Sequence, residues 1–555
     1  MNILSQFKEK LKNEKSHFWI FLALLVCLTI FTMFRYSMFT LVSVGHDAAF
    51  HYNRFLILME ALKNGTFPTY IDSQAIDNYG YASNLFYPNF TFIPFALIGN
   101  LIGVFRAYQL MYFVFTLLTG VLTYLSVYKV FKNKHTAYIS AILYTFCLYR
   151  LQDYFERAAI AEAITFTFLP IVFWGLYEVI KGDCKKWYIL TIGYSLFILT
   201  HLLSTLLLSI IVTVTLLISV KDFIKEPKRI LYLILAGCFT VLCSAIFLFP
   251  FFEQTISDSF NYETFSSYPF VRIAAKELPK ALLSYSFLPS IGITLILPLI
   301  SRFFISGKDK MIRSIDLFAI AAFLIIIYTS DLLPLFLYPN YIFGRTQFIW
   351  RLFEFSSFLL ALSCGYYVTK YLKGNTKSFF FLSGIIFLLF ASIYLNSMPY
   401  KHAKWGITNL PERGTSNNFF LGFADNIEYL PIPATVNNLV ERGNVILKKH
   451  ADTEIYNIKR SRSEIVFEIN TIHNEIIELP LTYYKGYYAY NNKETIDIQK
   501  SKNGLIEIPI NTSGSVQVKF EGTFIQKNSL YITLIAFLTL TIYAFRRNMF
   551  NKIQT

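Results

Sequence analysis

The first residues whose types and spacing could carry chemistry lie near the start of the chain. Asp47, His51 and Arg54 follow one another at spacings of four and then three residues, which places all three on one face of a helix. A carboxylate, an imidazole and a guanidinium on one face can position a hydroxyl and a phosphate together. The simpler interpretation is that Asp47 caps the N-terminus of this helix and that Arg54 extends its charged end to an interface.

A second group lies between two apolar stretches. Asp153, Glu156, Arg157 and Glu162 place four ionisable side chains within ten residues, and such residues must face water or one another. One interpretation is a binding or catalytic site. The other is a structural ion pair of Arg157 with Asp153 or with Glu162 that holds two helices together.

Further candidates lie at the ends of other apolar stretches. His201 is open to interpretation as a functional group or as a hydrogen-bonded packing residue. Arg345 and Arg351 could hold an anionic headgroup, since a guanidinium matches phosphate oxygens bidentately. Alternatively, Arg351 pairs with Glu354 at a spacing of three residues. Arg35 could also bind an anion, but its simpler interpretation is a side chain that reaches from a helix end to the interface.

The composition indicates which elements must position these residues. The chain has 555 residues, of which 55% are apolar and only 15% charged, whereas soluble domains average about a quarter charged. These values exclude a soluble single-domain enzyme, a disordered protein and a small disulfide-rich fold. The six cysteines show no CxxC spacing, so neither a disulfide framework nor a zinc site is expected. We expect an α-helical polytopic membrane protein.

Apolar stretches long enough to span a bilayer alternate with short polar connections. We expect about twelve transmembrane helices, over residues 18–41, 107–130, 136–150, 163–180, 187–201, 206–220, 230–250, 281–301, 314–330, 350–369, 378–396 and 529–545. The first stretch is expected to remain as an anchor, because no small-residue cleavage site follows it. Lys and Arg concentrate in alternate connections, which the positive-inside rule makes cytoplasmic. Both termini are then cytoplasmic, and the net charge of +15 reflects topology rather than nucleic-acid binding.

Three parts of the chain follow from this pattern. Residues 1–396 form a transmembrane module with a long first outer loop over residues 42–106. Within that loop, the apolar piece over residues 90–104 is expected to be re-entrant or interfacial, because a crossing would move Lys129, Lys132 and Lys134 to the outside. Residues 397–527 alternate between polar and apolar positions and contain Asn-Gly and Ser-Gly turn signals, which predicts a small, mostly-β extracytoplasmic domain. Residues 528–555 form a last transmembrane helix and a basic cytoplasmic tail.

The candidate residues all lie at the predicted outer ends of spans. Transporter sites tend instead to lie near the middle of the bilayer. A lipid-linked substrate presents its headgroup at the outer boundary. The sequence also lacks the GxxxxGK[ST], HExxH, GxGxxG and DxD motifs, which argues against an enzyme that uses cytosolic nucleotides or nucleotide sugars.

These features resemble a known class of membrane enzyme. An acidic residue at the start of the first outer loop, followed by a surface helix and a re-entrant helix, resembles the GT-C glycosyltransferases, which use polyprenyl-phosphate sugars. A second resemblance rests on short strings at residues 45–47, 50–51 and 54, 80–82, 85–89, 157–158 and 162, 201–204, and 347–348 with 350–351. These strings resemble a bacterial family of membrane proteins labelled 6-pyruvoyl-tetrahydropterin synthase-related, or YfhO-like, and the resemblance covers most of the chain. No metal-binding His cluster supports the pterin label as an activity. Ala161 and Ile349 stand where the family has Gly and Pro.

The resemblance implies roles for the candidate residues. Asp47 would be the catalytic base, which deprotonates an acceptor hydroxyl that displaces polyprenyl phosphate with inversion. The remaining implied roles fall into two sets: His51, Arg54, Arg157, Arg345 and Arg351 would stabilise the leaving phosphate, and Glu162, Asp153 and His201 would orient the acceptor or the arginines. We therefore expect a catalytic set of Asp47, His51 and Glu162. A divalent metal is compatible with this arrangement but not required by it.

The resemblance also implies partners and a location. The donor would be a polyprenyl-phosphate-linked sugar, and the acceptor a cell-surface glycopolymer or a lipid. The protein would lie in a bacterial plasma membrane among membrane lipids, with its active face extracytoplasmic and with no nucleic-acid partner. Three alternatives stay open: a transporter or flippase of lipid-linked saccharides, a non-catalytic assembly subunit, and a polymer ligase or polymerase of related architecture.

Overall fold

A computed structural model describes residues 14–38, 47–263, 271–284, 289–306, 309–339, 346, 348–372, 378–400 and 428–553. The chain forms two compact units. The first comprises Met1–Ala48, Leu101–Ala236 and Pro269–Thr408, and the second comprises Ala49–Asn100, Gly237–Tyr268 and Asn409–Thr555. The second unit thus includes most of the first outer loop and the segment around residue 250, in addition to the predicted β domain.

The first unit is helical. Its α-helices are Glu14–Arg35, Val104–Phe131, Lys134–Thr145, Leu148–Phe155, Ile160–Thr165, Leu169–Ile180, Tyr188–Ile198, Leu202–Ile218, Val220–Lys225, Leu278–Leu283, Ile293–Ile296, Lys310–Tyr328, Phe353–Leu372 and Ser378–Asn396. Short 3₁₀ helices connect them at Cys184–Lys186, Ala275–Glu277, Leu297–Phe304, Leu335–Leu337, Ile349–Leu352 and Met398–Tyr400. The helix Lys228–Cys243 continues from this unit into the second.

Several of these helices are suited to a membrane. Among the described residues, five helices are long and apolar enough to cross one, namely His17–Arg35, Val104–Phe131, Lys310–Tyr328, Ile349–Leu372 and Phe524–Arg547. The pair Lys228–Cys243 and Ala245–Ser257, bent by 77°, makes a sixth if it counts as one span. Five shorter apolar helices of 10–17 residues accompany them. The chain is therefore a largely helical membrane protein, and the number of twelve spans stays a prediction.

The described helices depart from the expected spans where the backbone breaks. The stretch expected over residues 281–301 is divided into Leu278–Leu283, Ile293–Ile296 and the 3₁₀ helix Leu297–Phe304. Gly292 has a φ of +83° directly before the second piece, a conformation that only glycine adopts freely. The stretch also contains Pro289 and Pro298, which do not fit the interior of a helix, so a mainly apolar composition does not guarantee an uninterrupted helix.

One close helix contact in the first unit depends on a glycine. A Cβ added at Gly365 would lie 2.1 Å from Ser140 Oγ and 2.8 Å from the carbonyl oxygen of Thr136. The absence of a side chain therefore lets the helices Lys134–Thr145 and Phe353–Leu372 approach closely. The first of these helices ends shortly before the segment that carries Asp153, and the second begins directly after the segment that carries Arg351.

In its described residues, the second unit combines helices with nine β-strands. The helices are Ala48–Lys63, Ser83–Phe86, Ile93–Ile102, Ala245–Ser257, Val436–Arg442 and Phe524–Ile553, with a 3₁₀ turn at Phe90–Phe92. The strands are β1 Leu447–Lys448, β2 Glu454–Ser461, β3 Glu464–Asn470, β4 Glu475–Thr482, β5 Tyr487–Asn491, β6 Glu494–Ile496, β7 Gln499–Lys500, β8 Leu505–Ile510 and β9 Gly514–Phe520. The predicted β domain is confirmed.

The strands form two antiparallel sheets. One has the order β1-β4-β8-β7 and the other the order β2-β3-β9-β5-β6. Alternate residues of β3, β4, β8 and β9 point into one buried core, so the sheets pack as a sandwich. Tyr70, Ile71, Leu85 and Phe86, which lie in the stretch predicted as the first outer loop, belong to the same core. The loop is therefore a structural part of the β domain.

The apolar piece at the end of that loop forms a short helix. Phe90–Ile102 is apolar but shorter than a span. With a rise of about 1.5 Å per residue, a helix of this length does not cross a hydrocarbon core of about 30 Å. This length is compatible with the re-entrant or interfacial helix that the charge pattern predicts.

Candidate active site

Two short helices of the first unit bring the central ionisable residues together. Asp153 lies on Leu148–Phe155 and Glu162 on Ile160–Thr165. Between them, Ala158 adopts a φ of +54°, in the left-handed region. Arg157 Nη1 lies 2.5 Å from Asp153 Oδ1 and 3.0 Å from Glu162 Oε2. Both ion pairs considered from the sequence are therefore present. All three side chains are buried.

Arg351 joins this cluster from a distant part of the sequence. Its Nε lies 3.0 Å from Glu162 Oε2, and its Nη1 donates to the carbonyl oxygen of Thr346 at 2.6 Å. Tyr149 donates its hydroxyl hydrogen to Glu162 Oε1 at 2.8 Å. Glu162 therefore accepts from two guanidinium groups and a phenol. We call Asp153, Arg157, Glu162 and Arg351 the ion cluster.

The two acids of the ion cluster have opposite electrostatic environments. Burial acts to raise the pKa of Glu162, but the charges of Arg157 and Arg351 outweigh it and lower the pKa. Burial, followed by the negative charge of Glu162, raises the pKa of Asp153 well above its usual value. Asp153 Oδ2 is buried and has no hydrogen-bond partner among the described residues. Glu162 is thus the carboxylate that the two arginines stabilise together, whereas Asp153 pairs with Arg157 alone.

Asp47 is attached to this cluster through the backbone. Its N–H donates to the carbonyl oxygen of Arg157 at 2.8 Å. Asp47 directly precedes the helix Ala48–Lys63 and its side chain is half-buried. The residue therefore occupies the position of a helix cap and also lies beside Arg157, so its two interpretations from the sequence are compatible.

His51 and Arg54 are described within the second unit, where they contact each other. Arg54 Nη1 lies 3.1 Å from His51 Nδ1, and Nη2 donates to the carbonyl oxygens of Tyr87 and Pro88 at 3.2 and 2.6 Å. The Arg54 guanidinium also stacks 4.0 Å from the ring centre of Tyr87. Both side chains are buried. These contacts hold the backbone at Tyr87 and Pro88, directly after the helix Ser83–Phe86.

His201 caps a helix near the ion cluster. It precedes Leu202–Ile218, and its Nδ1 accepts from the backbone N–H of Ser204 at 3.3 Å. Nδ1 also lies 2.8 Å from Ser204 Oγ. Because Nδ1 accepts the backbone hydrogen bond, the proton of a neutral ring lies on Nε2. The imidazole is close enough to contribute to the lowered pKa of Glu162.

The remaining sequence candidates have separate outcomes. Arg345 lies outside the described residues. Arg35 donates from Nε to Ser397 Oγ at 3.0 Å and stacks 4.1 Å from the ring centre of Tyr394. It therefore ties the end of the first helix to the end of Ser378–Asn396 rather than standing alone at an interface.

Sequence reasoning missed several members of this site. Tyr149 and Thr165 were not singled out, and Glu354 was expected to pair with Arg351. Instead, Arg351 binds Glu162, and Thr165 Oγ1 donates to Glu354 Oε1 at 2.7 Å. Arg150 is also fully buried and donates to the carbonyl oxygen of Thr145 at 2.8 Å. An arginine at the end of an apolar stretch was the available signal for Arg150.

The described residues hold no group of three or more His, Cys, Asp or Glu side chains arranged to bind a metal ion. In the ion cluster, each carboxylate instead accepts from a guanidinium.

Comparison with known proteins gives distant similarities. No protein-family model matches the chain. It is similar to an uncharacterized protein of Lactococcus lactis subsp. cremoris (strain MG1363), with 23% identity over 609 aligned positions that cover 96% of each chain. It is also similar to the solved structure of the archaeal oligosaccharyltransferase AglB from Archaeoglobus fulgidus, in complex with an inhibitory peptide and a dolichol-phosphate. That match has a TM-score of 0.36 and 13% identity, and covers 76% of this chain but only 62% of the length of that one.

Proposed function

We propose that this protein is a membrane glycosyltransferase of the GT-C type. It transfers a sugar from a polyprenyl-phosphate donor to a cell-surface polymer or lipid acceptor, on the extracytoplasmic face of a bacterial plasma membrane. The observation that carries the proposal is the hydrogen bond of 2.8 Å from the Asp47 N–H to the carbonyl oxygen of Arg157. It holds the backbone of the residue proposed as the base against the backbone of Arg157, whose side chain meets Arg351 at Glu162.

The guanidinium groups of the ion cluster suit a phosphate. Arg157 and Arg351 come from distant parts of the sequence and meet at one buried carboxylate oxygen, Glu162 Oε2. Guanidinium groups bind phosphate oxygens in a fixed, bidentate geometry. An anionic leaving group near Arg157 and Arg351 would therefore be stabilised as its charge develops.

The reaction is a single displacement. The Asp47 carboxylate accepts the proton of an acceptor hydroxyl, and the oxygen attacks the anomeric carbon of the donor sugar. The bond between that carbon and the phosphate oxygen breaks, and polyprenyl phosphate leaves with the electron pair. The configuration at the anomeric carbon inverts. No metal ion is needed for the proton transfer or for the departure of a monophosphate held by arginine.

The other candidates take supporting roles in this proposal. Tyr149, Asp153 and His201 orient Glu162 and the arginines. His51 and Arg54 hold the end of the first outer loop through the carbonyl oxygens of Tyr87 and Pro88, and Arg345 remains a candidate for the phosphate. Removal of one charge-directed donor at such a site typically lowers the rate on the order of a hundredfold.

One structural feature favours the alternative of a transporter. Lys228–Cys243 and Ala245–Ser257 form a helix pair bent by 77°, and transporters often bind substrates at discontinuous helices. However, no Asp, Glu, Lys, Arg or His occurs between Arg229 and Glu253. The break therefore offers no ionic group to a charged substrate, which favours the enzyme.

Reconstitution tests the proposal. Purified protein in lipid nanodiscs, supplied with polyprenyl-phosphate sugars and a cell-envelope acceptor fraction, should release polyprenyl phosphate and label the acceptor. Asp47→Asn should abolish both signals while the protein remains folded, because asparagine keeps a hydrogen-bonding cap at the start of the helix Ala48–Lys63. Movement of the intact lipid-linked sugar between leaflets of a proteoliposome, without cleavage of its phosphate bond, would instead establish a transporter.

A further inference from the structure

A cavity lies at one edge of the β sandwich, away from the residues discussed above. It has a volume of about 400 Å³ and opens between β1, β2, β3 and β4. Its walls are mainly aliphatic and include Val445, Ile455, Ile458 and Ile465. Its two charged lining groups are Arg460 and Lys448, and the Lys448 ammonium donates to the carbonyl oxygens of Ala451 and Thr453. Cavities of a few hundred cubic ångströms with apolar walls and few polar groups are typical of ligand sites.

A β-bulge produces this lining. The pairing of β2 with β3 shifts between Tyr456 and Lys459, and Asn457 adopts a φ of +54° within the shift. In a regular strand, residues three apart point to opposite faces. The additional residue of the bulge restores Ile455 to the side of Ile458, and both line the cavity. The bulge therefore gives the edge strand a continuous apolar wall that ends at a guanidinium.

Among the described residues, no carboxylate neutralises the charge of Arg460. Its guanidinium donates to the carbonyl oxygen of Pro480 at 2.9 Å, to that of Asn78 and to Asn444 Oδ1, all of which are neutral acceptors. Its Nε is buried and has no hydrogen-bond partner among the described residues. Burial lowers the pKa of Arg460, but arginine stays protonated in proteins. A partly buried positive charge without a carboxylate partner is stabilised by an anion.

The apolar residues beside this charge are exposed. Val445 is 53% and Ile458 is 55% accessible to solvent, whereas the edge strands around them carry many charged residues. Exposed aliphatic side chains that converge on an unneutralised guanidinium match one kind of ligand. Such a ligand has an apolar body and an anionic end.

We propose that the cavity binds an anionic amphiphile. Its phosphate or carboxylate contacts Arg460, and its alkyl chain lies along Val445, Ile455 and Ile458. All of these residues belong to the second unit, and the proposal is independent of the proposed transfer reaction. The headgroup chemistry is shared by a membrane lipid and by a free anion, and the experiment separates these two sources.

The test uses the full chain in nanodiscs of phosphatidylcholine. The probe is dodecyl phosphate with a diazirine on its alkyl chain, and cross-linked peptides are identified by mass spectrometry. We expect cross-links within residues 445–465. Arg460→Gln should lower this labelling about tenfold or more, as expected for the loss of a charge-assisted hydrogen bond. Lys459→Gln is the matched control, since Lys459 is exposed and does not line the cavity.

Two further variants and a neutral probe separate the possible outcomes. Arg460→Lys should retain most of the labelling, whereas Ile458→Asp, at an exposed position, should abolish it without unfolding the domain. The neutral probe, dodecanol with the same diazirine, should label weakly. Equal labelling by both probes, or labelling that survives Arg460→Gln, would overturn the proposal. Protection of the cavity by inorganic phosphate without any alkyl cross-link would also overturn it, and would leave a simple anion site.

Discussion

Glu162 and Arg351 form a buried ion pair, with Arg351 Nε 3.0 Å from Glu162 Oε2, although 189 residues separate them in the chain. Arg157 reaches the same oxygen at 3.0 Å. One carboxylate thus connects the short helix Ile160–Thr165 to the start of Phe353–Leu372. Any substrate phosphate that binds these arginines binds groups whose geometry Glu162 sets.

Glu162→Gln should strongly destabilise the first unit. The substitution leaves Arg157 and Arg351 buried with less compensating charge, and removal of one partner from a buried ion pair costs about 3–5 kcal/mol. Thermal unfolding of the purified protein measures this effect. The control is Glu226→Gln, because Glu226 is 45% exposed in its pairs with Lys228 and Arg229, and such surface pairs contribute about 1 kcal/mol or less. Equal unfolding temperatures for the two variants would contradict the role of Glu162.

The dependence of stability on pH should separate the two acids. The pKa of Glu162 is lowered, so its contribution is present above the unfolded value of about 4.3 and is lost as the pH falls through the folded value. The pKa of Asp153 is raised, so its contribution is present below about 3.9 and is lost as the pH rises through the folded value. The free energy of unfolding should be measured across this pH range. Glu162→Gln should remove the part of its decrease that occurs as the pH falls, and Asp153→Asn the part that occurs as the pH rises. A shared pH profile for both variants would refute these assignments.

Gly365→Ala should loosen the helix pair that supports the ion cluster. The new Cβ would lie 2.1 Å from Ser140 Oγ and 2.8 Å from the carbonyl oxygen of Thr136, and overpacking of this kind costs about 1–3 kcal/mol. Gly384→Ala is the matched control, since nothing lies within 4 Å of a Cβ at that helical position. Thermal unfolding should show a loss for the first variant and no loss for the second. Unchanged stability in both would mean that the helices separate readily.

Arg351→Lys should lower transfer activity on the order of a hundredfold. An ammonium lacks the planar fork of a guanidinium and cannot make both of its contacts at once. Arg351 holds Glu162 through Nε and the carbonyl oxygen of Thr346 through Nη1. Arg302→Lys is the control, as Arg302 also binds a carboxylate through two nitrogens, in its pair with Asp316. Initial rates with a polyprenyl-phosphate sugar measure the difference. Equal rates for the two variants would remove Arg351 from the phosphate site.

The sequence predicts those features that depend on local periodicity. Alternation over residues 464–469 and 505–510 identifies β3 and β8, whose apolar positions are buried in regular order. The strand β2 lacks this signal because its side chains are mostly exposed and a bulge interrupts its alternation. The burial of Tyr70 and Phe86 in the core of the β domain has no local signal either, since it depends on contacts with strands about 400 residues later.

The candidate site was predictable in composition but not in pairing. Asp153, Arg157, Glu162 and Arg351 stand out as ionisable residues at the ends of apolar stretches, and they come together in the first unit. For Arg351, the sequence offers Glu354 as a helical neighbour at a spacing of three, whereas the fold supplies Glu162. A partner at long range cannot be chosen from spacing along one chain.

The role of Asp47 as the base is the central claim. Asp47→Asn keeps a hydrogen-bonding cap at the start of its helix but cannot accept a proton from the acceptor. Glu60→Gln is the matched control, an acid-to-amide change at a 40% exposed position of the same helix. Glycosylation of the surface polymer should be measured in cells that carry equal membrane levels of each protein. We expect glycosylation to disappear with Asp47→Asn and to persist with Glu60→Gln, whereas full glycosylation with Asp47→Asn would show that Asp47 is only a helix cap.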